Sequence, residues 1–176
     1  EALDFGRLGP GVLGEDARPI EPLEVDHLPA SGDAARGAVL VDGANARVLE
    51  LGPDLQPTRV LLGPEDGAVA PADVTVAGER VYVADPGAGA LFEVTLASRA
   101  VLRIPLAGHA RPMHVGVAPD GRVLASDVAS HRIRVVERTA DGARELPSLG
   151  VGETPDAGRP RGEVRASERG LGALRF

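Results

Sequence analysis

Three aspartates recur at a nearly constant spacing and are the first residues to consider for chemistry. Asp42, Asp85 and Asp127 are separated by 43 and 42 residues. A carboxylate can act as a general base, bind a metal ion, or accept the backbone N–H groups of a turn. Each of these aspartates ends a short apolar run and precedes four polar or small residues. Because such a group repeats with every structural unit, the sequence predicts that the three aspartates are structural turn residues.

Three other residues are candidates for a binding site. His114 lies in the alternating stretch "PMHVGV" and could bind a metal ion or transfer a proton. Asp73 begins the stretch "DVTV", and Arg111, directly before Pro112, could bind a carboxylate or the acidic rim of a partner. A zinc site needs about three protein ligands, and the sequence shows no ordered set of them. We therefore predict no catalytic residue, and the metal, if any, is unknown, with Ca²⁺ or Zn²⁺ as the alternatives.

The composition excludes several classes of function. The chain has no Cys, which rules out disulfides, thiolate metal sites and a Cys nucleophile. There is no Gly-x-Ser-x-Gly motif of the kind that carries a nucleophilic serine. The net charge is −7, which argues against a nucleic-acid surface, and no apolar run is long enough for a membrane span. We expect no nucleic-acid or membrane partner for this acidic chain, and no cofactor within it.

The elements that position these residues are short strands in a repeating order. Each unit has an alternating strand, a turn, the strand that ends in Asp, and two further strands. A period of 42–43 residues is typical of one four-stranded β-propeller blade. The sequence therefore predicts an all-β chain of antiparallel four-stranded blades. Residues 29–150 form three of them, residues 1–28 are an irregular segment or part of a preceding blade, and residues 151–176 are a linker and terminal segment.

Residues 112–135, "PMHVGVAPDGRVLASDVASHRIRV", carry the repeat most completely, and residues 71–95 carry it well. This pattern resembles the repeat of NHL-type β-propellers. The resemblance implies that the first strand of each blade lines a central channel. Asp73, Arg111 and His114 would then lie at the mouth of that channel. Propellers of this type include lyases, lactonases and plain binding scaffolds, so the resemblance is specific for fold rather than for function.

Three blades are too few to close a ring, since closed propellers normally have about 4–8. We therefore expect an incomplete propeller from a larger protein, with an apolar face open at each end. Those faces are predicted to comprise Val39, Leu40 and Val48 at one end and Ile133, Val135 and Val136 at the other.

The expected function is a non-catalytic binding or scaffold module. Its partner would be another protein or the remaining blades of the same protein, and a small-molecule ligand is compatible with this role. The alternative is a metal-dependent propeller lyase or lactonase-type hydrolase with its site at the central channel.

Two further expectations concern the ends of the chain. The C-terminal "SERGLGALRF" resembles the helix that precedes the haem-binding motif of c-type cytochromes, which implies association with a redox domain. The chain begins with Glu1 rather than Met, which fits a processed N-terminus, and a periplasmic or extracellular location is favoured.

Overall fold

The computed structural model describes residues 20–29 and 37–150, and in these ranges the chain forms 12 strands in three sheets. The first sheet contains β1 (Pro22–His27), β2 (Ala38–Asp42), β3 (Arg47–Leu51) and β4 (Pro57–Leu62). The second contains β5 (Asp73–Ala77), β6 (Arg80–Asp85), β7 (Ala90–Thr95) and β8 (Val101–Pro105). The third contains β9 (Pro112–Val117), β10 (Val123–Asp127), β11 (Arg132–Thr139) and β12 (Gly142–Leu149). Short 3₁₀ helices span Gly43–Asn45 and Pro64–Asp66.

Each sheet is a meander in which strands adjacent in the sequence pair antiparallel. The prediction of an all-β chain with repeated four-stranded antiparallel sheets is therefore confirmed. Asp42, Asp85 and Asp127 are the last residues of β2, β6 and β10, which are the second strands of the three sheets. Within the described residues, no helix is long and apolar enough to cross a membrane.

The core lies between the faces of adjacent sheets. Side chains alternate between the two faces of a strand, so β6 contributes Val83 to the interface with the first sheet and Tyr82 to the interface with the third. Phe92 of β7 is fully buried against the first sheet, and Leu91 beside it is fully buried against the third. The second sheet is thus covered on both faces, which explains why its strands are almost continuously apolar.

The first sheet begins earlier than the sequence predicted. β1 pairs with β2 from Glu24 opposite Val41 to His27 opposite Ala38. Residues 22–27 were predicted to belong to segment 1–28, an irregular segment or part of a preceding blade, and the pairing instead makes them the first strand of the first sheet. The strand was missed because β1, "PLEVDH", is mostly exposed and its apolar alternation is interrupted by charge.

The predicted end faces also need correction, because three of their six residues point into the molecule. Val39 and Val48 pack against the second sheet from one side, and Val136 packs against it from the other. In the first sheet only Leu40 has the predicted orientation, since it clusters with Leu49 on the opposite face. The sequence identified the apolar strands correctly, but it did not establish which neighbour each face meets.

Carboxylates connect the first strands of neighbouring sheets. Asp26 Oδ2 accepts the backbone N–H of Val76 at 2.7 Å, and Asp73 Oδ2 accepts that of Val115 at 2.7 Å. A first strand pairs within its own sheet along one edge only, so these N–H groups have no strand partner. A buried donor without a partner costs about 1–3 kcal/mol. The two aspartates remove that cost and set the register between adjacent sheets.

A buried carboxylate with two partly exposed arginines joins the second and third sheets. Glu93 of β7, whose side chain is 2% exposed, lies 3.3 Å from Arg80 Nε in its own sheet and 2.8 Å from Arg138 Nε in the third. Burial, with the nearby charge of Glu93 and a hydrogen bond to it, raises the pKa of Tyr82 to about 12. The Tyr82 phenol therefore stays neutral in the folded chain above the pH at which an exposed tyrosine ionises.

The Tyr82 environment predicts a loss of stability in strong alkali. The folded chain holds the tyrosine proton more tightly than the unfolded chain, where the pKa is near 10.0. Its contribution to the free energy of unfolding is thus complete below pH 10 and is lost as the pH rises toward 12. Tyr82 is the one Tyr and the chain has no Trp, so phenolate absorbance follows this residue directly. We expect the titration midpoint to fall on denaturation, and Glu93→Gln to lower it in the folded chain. A native midpoint near 10 would contradict the assignment.

Candidate functional site

Asp127 is the centre of a hydrogen-bonded corner. Its carboxylate accepts the backbone N–H of Arg111 at 2.8 Å and of Ala129 at 3.0 Å, the hydroxyl of Ser130 at 2.6 Å, and Arg134 Nε at 2.8 Å. Burial by itself would raise the pKa of Asp127, but the donors outweigh it and hold that pKa well below the usual range. The carboxylate is therefore charged and fully engaged with the chain.

Asp85 has the same position in the second sheet but uses backbone donors. It accepts the N–H groups of Val69 at 2.8 Å, Ala70 at 3.0 Å and Ala88 at 2.8 Å, and its own exposure is 0%. Val69 and Ala70 precede the first strand of the sheet, whereas Ala88 lies in the turn after the second strand. The aspartate thus ties the incoming connection to the β6–β7 turn.

Asp42 completes the series in the first sheet. It accepts the backbone N–H of Glu21 at 3.1 Å, Asn45 Nδ2 at 2.8 Å and Arg47 Nε at 2.8 Å. Glu21 again precedes a first strand, and Asn45 again follows the second. The sequence predicted a turn residue at these positions, whereas the link to the preceding connection depends on tertiary structure.

Asp73 and His114, two of the predicted site residues, lie side by side on the first strands of neighbouring sheets. His114 Nδ1 is 3.6 Å from Asp73 Oδ2, and the imidazole is 77% exposed whereas the Asp73 carboxylate is largely buried. Asp73 pairs with Ala84, and His114 pairs with Ser126. Each partner directly precedes the aspartate that ends the second strand of its sheet, called the corner aspartate below. Glu24 has the corresponding place in the first sheet. Three acid/base side chains therefore occupy equivalent places in successive sheets, although no group of three potential metal ligands is gathered among the residues described.

Arg111, the third predicted site residue, lies apart from Asp73 and His114. It lines a cavity of about 420 Å³ together with Arg103, His109, the β6–β7 turn at residues 86–89, and the connection from β8 to β9. Neither Asp73 nor His114 lines this cavity. The sequence missed the grouping because Arg103 lies at the outer strand of one sheet while Arg111 leads into the inner strand of the next.

Comparison with known proteins identifies the fold. No family model matches the sequence, and no curated protein matches it significantly. The structure is similar to virginiamycin B lyase from Staphylococcus aureus, with a TM-score of 0.56, 18% identity, and coverage of 72% of this chain and 41% of that one. A streptogramin B lyase matches with a TM-score of 0.57, 15% identity and coverage of 74% and 42%. Kuenenia stuttgartiensis hydrazine synthase matches with a TM-score of 0.56, 14% identity and coverage of 72% and 35%.

These similarities show the fold, and the prediction of a partial β-propeller is confirmed. The three sheets are propeller blades, and the chain spans less than half the length of the structures it resembles. The NHL type of the repeat stays a prediction. The cytochrome-like tail lies outside the described residues, as does the rest of segment 151–176, and the comparisons give it no support.

The contacts of Asp85 predict a purely structural effect of its removal. Asp85→Ala leaves three N–H groups of a partly buried corner without a protein acceptor, so the free energy of unfolding should fall by about 1–3 kcal/mol. Asp85→Asn keeps one acceptor oxygen and should lose less. Denaturant unfolding measures both, with Asp120→Ala in an exposed turn as the control. An unchanged midpoint combined with lost ligand or metal binding would show that Asp85 is a functional carboxylate.

Proposed function

We propose that this chain is a non-catalytic binding and scaffold module, an arc of a larger β-propeller that docks against further blades. The observation that carries the proposal is the outer face of the third sheet. There, Ile133 and Leu149 lie opposite each other across β11 and β12 and are 38% and 53% exposed. Leu124 and Leu146 continue the same apolar face and are half-buried.

The second sheet shows what such a face normally packs against. Leu91 of β7 has the place in the second sheet that Ile133 has in the third, because each pairs with the residue before the corner aspartate. Leu91 is fully buried by the third sheet, whereas Ile133 is 38% exposed. A fourth sheet stacked in the same way would cover Ile133 and Leu149, so the face fits another propeller blade.

The length of the structures with a similar fold also favours a further blade as the partner of this face. Three blades of this chain match 41–42% of the two lyase chains, which leaves room for several more blades in a complete ring. In repeat proteins each unit is stabilised chiefly by its nearest neighbours. The missing blades would come from the remainder of the same protein or from a partner chain.

The corner aspartates favour a scaffold over an enzyme. Asp42, Asp85 and Asp127 are at most 2% exposed, and each accepts at least three hydrogen bonds from the chain itself. Carboxylates buried and bonded in this way are not presented to a substrate. The three repeated aspartates thus stabilise the fold.

This proposal predicts self-association of the 176-residue chain through the exposed face. Sedimentation velocity over a range of concentrations should show concentration-dependent oligomers, because large exposed apolar patches are rare in stable monomers. Ile133→Lys combined with Leu149→Lys should shift the distribution toward monomer. Leu55→Lys is the matched control, since Leu55 is also 38% exposed but lies in the β3–β4 turn. A monomer at every concentration, unchanged by the double substitution, would overturn the docking role.

The alternative function is a metal-dependent lyase or lactonase-type hydrolase at the central channel. The observation in its favour is the pair formed by Asp73 and His114, with Glu24 in the equivalent place of the first sheet. Imidazole and carboxylate groups bind Zn²⁺, and carboxylates bind Ca²⁺. Two of the structures with a similar fold are lyases. Blades beyond this chain would have to supply further ligands.

Metal titration distinguishes the two functions. For a scaffold we expect no stoichiometric binding of Zn²⁺ or Ca²⁺ by isothermal titration calorimetry. Stoichiometric binding that disappears in His114→Gln and in Asp73→Asn would favour the enzyme instead. His131→Gln is the control, because His131 is also exposed but lies in the β10–β11 turn rather than on a first strand.

A further inference from the structure

The cavity formed by the β6–β7 turn, the end of β8 and the β8–β9 connection concentrates positive charge in an acidic protein. We propose that it binds a small organic anion through a carboxylate or phosphate group, with Arg103 and Arg111 as the principal contacts and His109 beside them. This site is separate from the channel residues Asp73 and His114 and from the outer face of the third sheet.

The cavity is bounded by two segments that meet at one end of the second sheet. Strands alternate in direction, so the β6–β7 turn and the β8–β9 connection emerge on the same side. Leu106 N donates to the Gly89 carbonyl at 3.3 Å, and Arg103 Nη2 donates to the Ala88 carbonyl at 3.0 Å. Two corner aspartates also fix these segments, because Asp85 accepts the N–H of Ala88 and Asp127 accepts the N–H of Arg111. The walls are therefore organised before any ligand arrives.

Neither guanidinium of the cavity forms an ion pair with a carboxylate of the described residues. Eight arginines form ion pairs with carboxylates among the residues described. Arg103 and Arg111 are not among them, and both are exposed. Among the described residues that line the cavity there is no Asp or Glu. In a chain of net charge −7, two such guanidiniums at one cavity favour an external anion as their counter-charge, since Arg binds carboxylate and phosphate in a bidentate fashion.

The repeat does not require these charges. Arg103 pairs with Phe92, and the corresponding residue of the first sheet is Val60, which pairs with Leu49. Arg111 stands directly before Pro112, where the second sheet has Ala70 before Pro71. The first sheet has Glu21 before Pro22 at the equivalent place, so that position holds a negative, a small and a positive residue in the three sheets. Blade structure therefore requires a positive charge at neither position, and two arginines at one cavity point to a role outside blade structure.

The remaining walls suit an organic ligand rather than a bare ion. Pro86, Pro105 and Leu106 contribute apolar surface, and a volume of about 420 Å³ lies within the range of small-molecule sites, about 300–1,000 Å³. Gly108 has a φ of +72° and no atom near the place of a side chain. The turn at Gly108 and His109 is thus open to solvent and leaves the rim of the cavity unobstructed.

Binding of two probes tests the proposal and separates the anionic groups. Citrate represents carboxylates and inorganic phosphate represents phosphates, each titrated into the 176-residue chain by calorimetry at fixed ionic strength. We expect saturable binding of at least one probe, and the tighter probe identifies the preferred group. Arg111→Gln and Arg103→Gln should each weaken binding by about tenfold, as expected for the loss of a charge-assisted contact.

The control is Arg122→Gln, which removes the same charge from an exposed position. Arg122 pairs with Asp120 in the β9–β10 turn, at the opposite end of the sheets, so its substitution should leave binding unchanged. In ¹H–¹⁵N spectra, ligand should shift the amide signals of Gly89 and Gly108. Arg111 has no described side-chain contact to lose, so Arg111→Gln remains informative even where Arg103→Gln fails to fold.

Three outcomes would overturn the proposal. They are the absence of saturable binding for both probes, an equal loss of affinity in Arg122→Gln, and glycine amide signals that do not move. Failure here leaves the scaffold function intact, because Ile133→Lys and Leu149→Lys probe the outer face of the third sheet, which does not line the cavity. Conversely, a strictly monomeric chain would leave the anion site untouched.

Discussion

Each blade depends on a buried carboxylate at the end of its second strand. The aspartate accepts backbone N–H groups from the connection that enters the blade and donors from the turn that follows. Those donors lie in irregular backbone, where no strand can pair with them, and a buried N–H without an acceptor is costly. One short side chain therefore organises two segments at once, and the spacing of 42–43 residues repeats that arrangement.

The same carboxylates give the molecule its binding potential without taking part in binding. Asp85 fixes the β6–β7 turn and Asp127 fixes the start of the β9 connection, and these are the segments on either side of the anion cavity. Exposed loops usually lose conformational freedom when they bind a ligand. In this chain the two segments already lose much of that conformational freedom on folding. The arginines of the proposed site are therefore presented on backbone that is ordered before a ligand binds.

Packing between sheets sets the second level of organisation. The second sheet is covered on both faces, and the buried Glu93 with Arg138 adds an ionic contact across its junction with the third. The third sheet has only one face covered by described blades, which leaves Ile133 and Leu149 in contact with solvent. In the proposed function stability and association are linked, because the packing that stabilises the second blade is the packing that the exposed face of the third blade would make with a further blade.

The sequence by itself determined the repeat, the strands and the corner aspartates. These are local properties, since an apolar alternation and an Asp before a turn are visible within about fifteen residues. It also singled out Asp73, Arg111 and His114. It did not reveal β1, because an exposed first strand lining one edge of a sheet carries little apolar signal.

Tertiary structure alone decided which residues meet. Val39, Val48 and Val136 turned inward because strand alternation gives two equivalent faces and only the neighbouring sheet distinguishes them. Arg103 and Arg111 come together because the β8–β9 connection crosses from the outer strand of one blade to the inner strand of the next. Contacts between blades depend on how sheets stack, and that information is spread over the whole chain rather than held in any single repeat.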